Sequence, residues 1–298
     1  MSDQKFDIPF KNPTVPAALN PDAKIQFNCH KGISCFNACC MHADITLAPY
    51  DILRMKKRLG MTSAEFISHY AVPFEMDGDG LPGLKLKTDD SGACLQLEGD
   101  AGCGVYEDRP TVCRYYPLAL LTLREKGSRE AEERYSLVKE EHCKGHGEDR
   151  EISIADYRQE QGCDHFDDLN RDWYQLLLKK KSAGPSVGHP PKKSLQLFFL
   201  ASYDLDNFAR FVQSDNFKAA YDLSADFYRE IAEDEVALLK FGFRLLRQVL
   251  FGEQSIPEHE RAWEDRMERR KSTWEAQQAA EREVYVRDRE ARMRDSGG

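Results

Sequence analysis

A run of closely spaced cysteines, CHKGISCFNACC, constrains this chain more than any other feature. It places four thiols within twelve residues, at Cys29, Cys35, Cys39 and Cys40. Free cysteine is normally a scattered, buried residue. Thiolate is also the soft ligand that selects zinc, copper(I) or iron–sulfur clusters. The density of thiols therefore predicts a metal site, and the glycine, serine and asparagine between them predict irregular backbone.

Three further cysteines extend the predicted ligand set, Cys94, Cys103 and Cys113, and an eighth thiol follows at Cys143, whose role the spacing alone leaves open. Eight thiols make two sets of four, which would serve two cubane clusters or one cluster with a separate zinc. Because adjacent residues direct their side chains differently, one of Cys39 and Cys40 is predicted to serve a different metal or iron from the other. The ninth cysteine, Cys163, is interpreted as a buried structural thiol, and histidines beside the cysteines are left out of the ligand set.

Composition narrows the classes of protein that this chain can represent. Its 298 residues carry a formal net charge of -9, which argues against a broadly basic nucleic-acid binder. The first residues lack the pattern of a secretory signal, and the longest apolar stretches are too short for a membrane span. We therefore expect a cytoplasmic protein with no nucleic-acid or membrane partner. Reduced thiols and an odd cysteine count favour metal ligation over disulfides.

The hydrophobic pattern predicts an α+β fold, in which an irregular cysteine-rich metal-binding domain with short helices and small β-hairpins precedes a helical region. Short helices are predicted from Tyr50 to Leu59 and, capped by Thr62 or Ser63, up to Tyr70. Glycines in residues 76–117 predict short strands. The organisation predicted is an extended arm (1–24), the cysteine-cluster domain (25–178), a linker (179–194), a helical region (195–252) and a charged helical tail (253–298).

Two shorter predictions concern the end of the cysteine-rich part. Pro117 to Leu123 is predicted to form one more strand, and the charged run from Arg124 to Glu133 is predicted to be a solvated loop. The apolar residues of the C-terminal helices are interpreted as core. Those helices are also the expected surface for an unknown protein partner.

A second signature, GCGVYEDRPTVCRYYP, spans Gly102 to Pro117. Its glycines allow the backbone to approach a cluster closely, and its prolines stiffen the segment. Arg109 and Arg114 bring positive charge near two thiolates, so they are predicted to tune a bound cluster from outside the ligand set. The alternative is that these arginines form surface ion pairs with Glu107 or Asp108.

These motifs together resemble the YkgJ-like cysteine-cluster family of zinc- or iron-chelating domains, which is related to flagellin lysine N-methylases. The resemblance rests on the double-cysteine cluster, the Gly102–Pro117 signature and Cys143-x-Gly-x-Gly147, and it covers about residues 25–180. It implies that Cys143 is a ligand. One departure is the gap between Cys29 and Cys35, which is longer than is usual in the family.

Three functions compete at this point. The first is a protein carrying one or two [4Fe–4S] clusters for electron transfer, sensing or metal handling, with zinc as the alternative metal. The second is an enzyme similar to the lysine N-methylases, although no glycine-rich nucleotide loop follows a strand. The third is a structural zinc module that presents its C-terminal helices to a partner. No catalytic residue is predicted.

Overall fold

The computed structural model describes residues 18–76, 80–124, 131–182 and 190–261, with residues 264 and 268. Most of the predicted arm and tail, and the middle of the predicted linker, lie outside these residues. Within them, short antiparallel sheets combine with α-helices, so the predicted α+β class is confirmed. None of the described helices is both long and apolar enough to cross a membrane.

The strands form three small antiparallel sheets. Strand β1 pairs with β7, β4 lies between β2 and β3, and β5 forms a hairpin with β6. Their bounds are β1 Lys24–Gln26, β2 Thr46–Leu47, β3 Ala71–Met76, β4 Leu81–Leu86, β5 Leu118–Arg124, β6 Ala131–Leu137 and β7 Glu151–Ser153.

Helices alternate with these strands along the chain and then follow them as a helical region. Their bounds are α1 Pro49–Leu59, α2 Ser63–Tyr70, α3 Thr111–Tyr115, α4 Ile154–Gln161, α5 Cys163–Ser182, α6 Lys192–Tyr203, α7 Leu205–Val212, α8 Asp215–Lys218, α9 Ala225–Glu233 and α10 Glu235–Phe251.

Local capping explains why the two predicted N-terminal helices form. Helix α1 ends at Gly60, whose φ of 65° is the left-handed conformation that glycine adopts at low cost. Thr62 caps α2, since its side chain accepts from the Glu65 N–H while the Glu65 carboxylate accepts from the Thr62 N–H. Both predicted helices are confirmed, with ends within one residue of those expected.

Two local predictions are wrong in part. The stretch 76–117 contains helix α3 as well as strands, because α3 is capped by a carboxylate from a distant segment. The two ends of the predicted loop from Arg124 to Glu133 belong to strands β5 and β6, since residues 131–133 pair with 122–124 across the hairpin. Residues 125–130 of that loop lie outside the described part of the chain.

Both ends of the predicted linker 179–194 are helical. Helix α5 continues to Ser182, and α6 begins at Lys192. The last turn of α5 carries Lys179, Lys180 and Lys181, and their positive charge suits the negative end of a helix dipole. The division of the chain into five units stays a prediction.

The apolar residues form two buried clusters. The larger contains residues of α1, α2 and α5 together with residues of all the later helices. Lys56 of α1, which is buried, pairs across this cluster with Asp206 of α7 at 3.0 Å and with Glu235 of α10. The smaller cluster gathers side chains from the β1–β7 and β5–β6 pairs and from α4. The larger cluster and the ion pairs of Lys56 therefore connect the N-terminal helices to the C-terminal ones.

A buried carboxylate joins three helices. Asp51 of α1 has no exposed surface, and its Oδ1 accepts from both the N–H (3.0 Å) and the hydroxyl (2.6 Å) of Thr111. Its Oδ2 accepts from the Ala48 N–H. Asn170 of α5 donates to the Thr111 hydroxyl and accepts from the Tyr50 N–H. Burial raises the pKa of Asp51 to about 6 against the effect of these donors.

We expect Asp51→Ala to destabilise the protein strongly, because it leaves buried donors without an acceptor. Each unsatisfied buried group costs about 1–3 kcal/mol, so the loss in unfolding free energy should reach about 3 kcal/mol. Chemical denaturation measures it. Asp44→Ala is the control, since Asp44 forms an exposed pair with Lys85 whose loss should cost about 0–1 kcal/mol. Equal effects would contradict a central role for Asp51.

Candidate metal centre

All eight cysteines predicted as ligands line one cavity of about 210 Å³. They are Cys29, Cys35, Cys39, Cys40, Cys94, Cys103, Cys113 and Cys143. Cys163 lies elsewhere, fully buried in the smaller core cluster, and burial raises its pKa to about 12. The structure thus brings together thiols that lie as far apart in the sequence as Cys29 and Cys143.

Backbone contacts connect the first part of the cysteine cluster to the loop that carries Cys143. The Asn28 N–H donates to the Gly145 carbonyl at 3.0 Å, and the Lys144 N–H donates to the Cys35 sulfur at 3.2 Å. Addition of a Cβ at Gly145 would meet the Phe27 ring at 2.6 Å, so only glycine allows this close approach. We call these thiols, with Cys39, the outer set: Cys29, Cys35, Cys39 and Cys143.

Electrostatic effects place the same thiols near one another. Partial withdrawal from solvent raises the pKa of Cys29 to about 11, and negative charge on Cys39, Cys35 and Cys143 adds to the rise. Two of the four, Cys29 and Cys39, are exposed. The outer set therefore lies at the mouth of the cavity.

Different contacts connect the remaining thiols. The Cys94 N–H donates to the Cys40 carbonyl at 2.9 Å. The Leu97 N–H donates to the Cys94 carbonyl, and Leu97 forms an isolated antiparallel β-bridge with Cys103. Burial raises the pKa of Cys113, and charge on Cys94 and Cys103 raises it further. We call these four thiols the inner set: Cys40, Cys94, Cys103 and Cys113.

The adjacent pair Cys39 and Cys40 forms the boundary between the two sets. A hydrogen bond between the two thiols lowers the pKa of Cys39 to about 7 and raises that of Cys40. They lie in a 3₁₀ turn that follows Asn37, whose φ of 69° is left-handed. Charge on Cys39 raises the pKa of Cys29 and also that of Cys94, Cys103 and Cys113, so Cys39 acts on thiols of both sets, whereas the neighbours that raise the pKa of Cys40 are Cys39, Cys94 and Cys103.

The two arginines of the second signature have different surroundings. Arg109 lines the cavity, and its guanidinium lies 3.9 Å from the centre of the Tyr106 ring. It donates to the Tyr106 carbonyl and to Gln161 Oε1, both at 2.6 Å. Burial raises the pKa of Cys103, and the charge of Arg109 opposes that rise. Arg109 therefore lies where a cation can act on the inner set.

Arg114 is not among the residues that line the cavity. It donates to the carbonyls of Arg109 (3.1 Å), Gln161 (2.9 Å) and Glu107, and its guanidinium lies 3.8 Å from the centre of the Phe166 ring. The alternative of ion pairs with Glu107 or Asp108 finds no support in these contacts. The Asp108 carboxylate pairs with Arg54 instead.

Two buried polar side chains of the lining were not singled out by the sequence analysis. They are Gln96, whose Nε2 has no hydrogen-bond partner among the described residues, and Tyr116, whose hydroxyl lies beside the Cys143 thiol and Glu140. Gln96 is 6% exposed and follows Cys94 by two positions. Burial raises the pKa of Tyr116, and hydrogen bonding to Cys143 and Glu140 raises it further.

Unpaired buried donors are rare in native proteins, and a bound group can supply the partner when the donor faces a cavity. The sulfur atoms of a thiolate metal site accept hydrogen bonds, so the two donors and the eight thiols fit such a group. The sequence indicates Gln96 and Tyr116 only through their positions, because each follows a predicted ligand closely. Within the described part of the chain, no three His, Cys, Asp or Glu side chains are arranged as ligands of one metal ion.

Residues 28–144 match the family model CxxCxxCC, described as a putative zinc- or iron-chelating domain. The cysteine-rich segment is therefore similar to this cysteine-cluster family, as the motifs predict. The match includes all eight thiols of the cavity and ends before Cys163. Metal binding is thereby supported. Comparison with curated proteins and with solved structures gives no match.

We expect Tyr116→Phe to weaken zinc binding by about 10- to 100-fold, as loss of a hydrogen bond to a ligand typically does. Competition with a chromophoric chelator under anaerobic conditions measures the affinity. Tyr203→Phe is the matched control, because Tyr203 has a buried hydroxyl without a partner in the helical core, away from the cavity. Wild-type affinity in Tyr116→Phe would show that its hydroxyl does not support the site.

Zinc affinity should also rise steeply with pH. The raised pKa values of Cys29 and Cys113 keep these thiols protonated at neutral pH, so binding must displace their protons. Each proton released contributes up to about a tenfold gain in affinity per pH unit. Competition at pH 6, 7 and 8 and proton release into weak buffer test this. An affinity that does not depend on pH would mean that other groups bind the metal.

Proposed function

We propose that this chain is an iron–sulfur protein whose cavity thiolates hold [4Fe–4S] clusters for electron transfer. The observation that carries the proposal is the convergence of eight cysteines on one cavity that is otherwise mostly apolar. Thiolates are the ligands of such clusters. Electron transfer is favoured over a purely structural role because the cavity opens at exposed thiols, Cys29 and Cys39.

A bound [4Fe–4S] cluster supplies one-electron chemistry at a potential set by net charge, hydrogen bonds to sulfur and exposure to solvent. The chain has a residue for each of these effects. Arg109 brings a buried positive charge, Gln96 brings an amide donor without a partner among the described residues, and Tyr116 brings a hydroxyl beside Cys143. Phe27 and Val105, both buried in the lining, exclude water from the interior side.

Iron and acid-labile sulfide analysis of anaerobically purified protein tests the proposal. We expect equal amounts of iron and sulfide, with visible absorption that reduction bleaches. Cys103→Ser should lose most of both, whereas Cys163→Ser should keep them, since Cys163 lies outside the cavity. Colourless protein that contains zinc without sulfide would overturn the proposal in favour of the zinc module.

Arg109→Gln should lower the reduction potential, because a nearby cation favours the more negative, reduced cluster. The expected shift is on the order of 60 mV, which corresponds to a tenfold change in a one-electron equilibrium. Redox titration followed by visible absorption measures it. The control is Arg171→Gln, because Arg171 is an exposed residue paired with Asp168 on α5. Identical midpoints in both variants would show that Arg109 acts only through its hydrogen bonds.

A further inference from the structure

We infer that the exposed surface beside the mouth of the cavity is a docking site for a protein partner with a basic surface. The inference rests on the proposed function for its purpose, since a partner that docks here exchanges electrons with the cavity. The contact itself depends on charge and apolar area, not on which metal is bound. We call this surface the acidic face, and its members are Asp89, Asp90, Leu95, Glu98, Asp100, Tyr106, Glu107 and Val112.

The charge of the acidic face determines which partner it fits. Residues 88–107 contain five carboxylates, all exposed, and neither lysine nor arginine. Within the described part of the chain none of these carboxylates forms an ion pair, whereas Asp44 pairs with Lys85 and Asp226 with Arg229. Uncompensated negative charge attracts a basic protein surface, and it repels the phosphate groups of nucleic acids and anionic lipids.

The turn that carries Glu98 and Asp100 is fixed beside the cysteine cluster. Asn37, which lines the cavity, donates through Nδ2 to the Gly99 carbonyl at 2.9 Å. Asn37 lies two residues before Cys39, which is an exposed thiol. The two carboxylates of this turn therefore lie close to the exposed part of the site.

A second turn connects Asp89 and Asp90 to the other end of the same cluster. The His42 N–H donates to the Gly92 carbonyl at 2.7 Å. His42 follows Cys40, which lines the cavity, by two positions. Both turns therefore hold their carboxylates beside one cysteine-rich segment.

Exposed apolar side chains accompany the carboxylates. Tyr106 is 54% exposed, Val112 is 43% exposed, and both line the cavity. The buried guanidinium of Arg109 lies 3.9 Å from the centre of the Tyr106 ring and restrains it. A restrained tyrosine offers contact area at little further cost in entropy, and tyrosine is enriched in protein interfaces. Apolar side chains surrounded by charges mark an interaction surface.

The partner docks with lysine or arginine side chains against the carboxylates and with apolar surface against Tyr106 and Val112. In this position it lies at the opening of the cavity, where electrons can pass. Contacts between electron-transfer proteins are usually small and short-lived, burying less than about 1,200 Å². The negative charge acts mainly on the rate of association, because it draws a basic partner towards the opening.

Cytochrome c is the probe, because it is a basic protein whose haem accepts one electron. Calorimetric titration of the anaerobically purified full chain at low ionic strength measures its binding. The acidic-face variant combines Glu98→Gln, Asp100→Asn and Glu107→Gln. We expect this variant to bind cytochrome c about tenfold more weakly than wild type does.

The control variant removes the same number of charges from α9, which carries no thiol of the cavity. It combines Asp226→Asn, Glu230→Gln and Glu233→Gln, all at exposed positions, and should bind as wild type does. Hydrogen exchange of the complex should show protection in residues 88–112 and not in α9.

Stopped-flow kinetics gives a second readout. After reduction of the protein with dithionite and removal of the excess, one electron passes from the cluster to the ferric haem. The acidic-face variant should slow this transfer about tenfold, and it should accelerate transfer to ferricyanide, which is an anion. A structural defect would instead change both rates in the same direction.

Wild-type binding in the acidic-face variant, or an equal loss in the control variant, would overturn the inference. Loss in the control variant alone would move the contact to the C-terminal helices. A dimer of the chain alone that the acidic-face variant dissociates would also overturn it, because a second copy would then cover the face.

Iron and sulfide analysis reports separately on the proposed function. A zinc protein that binds cytochrome c through the acidic face contradicts the iron–sulfur proposal and supports the docking site. An iron–sulfur protein that binds cytochrome c equally in all variants does the reverse.

Discussion

The buried carboxylate of Asp51 is the interaction on which the position of Cys113 depends. It accepts both polar hydrogens of Thr111, which begins α3, and Cys113 follows two residues later in that short helix. A helix of five residues is unstable by itself, so its capping group decides whether it forms. Because Asp51 also caps α1, and because Asn170 of α5 binds Thr111, one network fixes α3 against two longer helices.

The thiols need this rigid support because gathering them in the cavity is energetically unfavourable. Withdrawal from solvent raises the pKa of Cys29, Cys94, Cys103 and Cys113, which means that their charged forms are disfavoured where they lie. A metal needs those charged forms and compensates for them through its own positive charge. The fold therefore holds protonated thiols together until binding releases their protons, and the free energy of binding adds to the stability of the fold.

The sequence predicted the parts of the fold that depend on local chemistry. Helix α2 was predictable because Thr62 and Glu65 form a capping box within four residues, and α1 because Gly60 ends it. Helix α3 was not, since its cap comes from Asp51, sixty residues earlier. The same distinction applies to the site. Cysteine is rare enough to be recognised wherever it falls, and all eight predicted thiols line the cavity. The roles of Gln96, Tyr116 and Arg114 depend on which way each side chain points, and spacing carries no such information.

The cavity extends beyond the segment that the family model matches. Phe27, Tyr157 and Gln161 line it and lie outside residues 28–144. Gln161 accepts from Arg109 through its side chain and from Arg114 through its carbonyl, so the end of α4 orients both arginines of the second signature. Helix α5 follows directly, and the larger core cluster joins it to α6 and α10. Gln161, which orients Arg109, thus lies on a helix that carries no thiol of the cavity. Through α4 and α5 the C-terminal region is physically connected to the candidate metal centre.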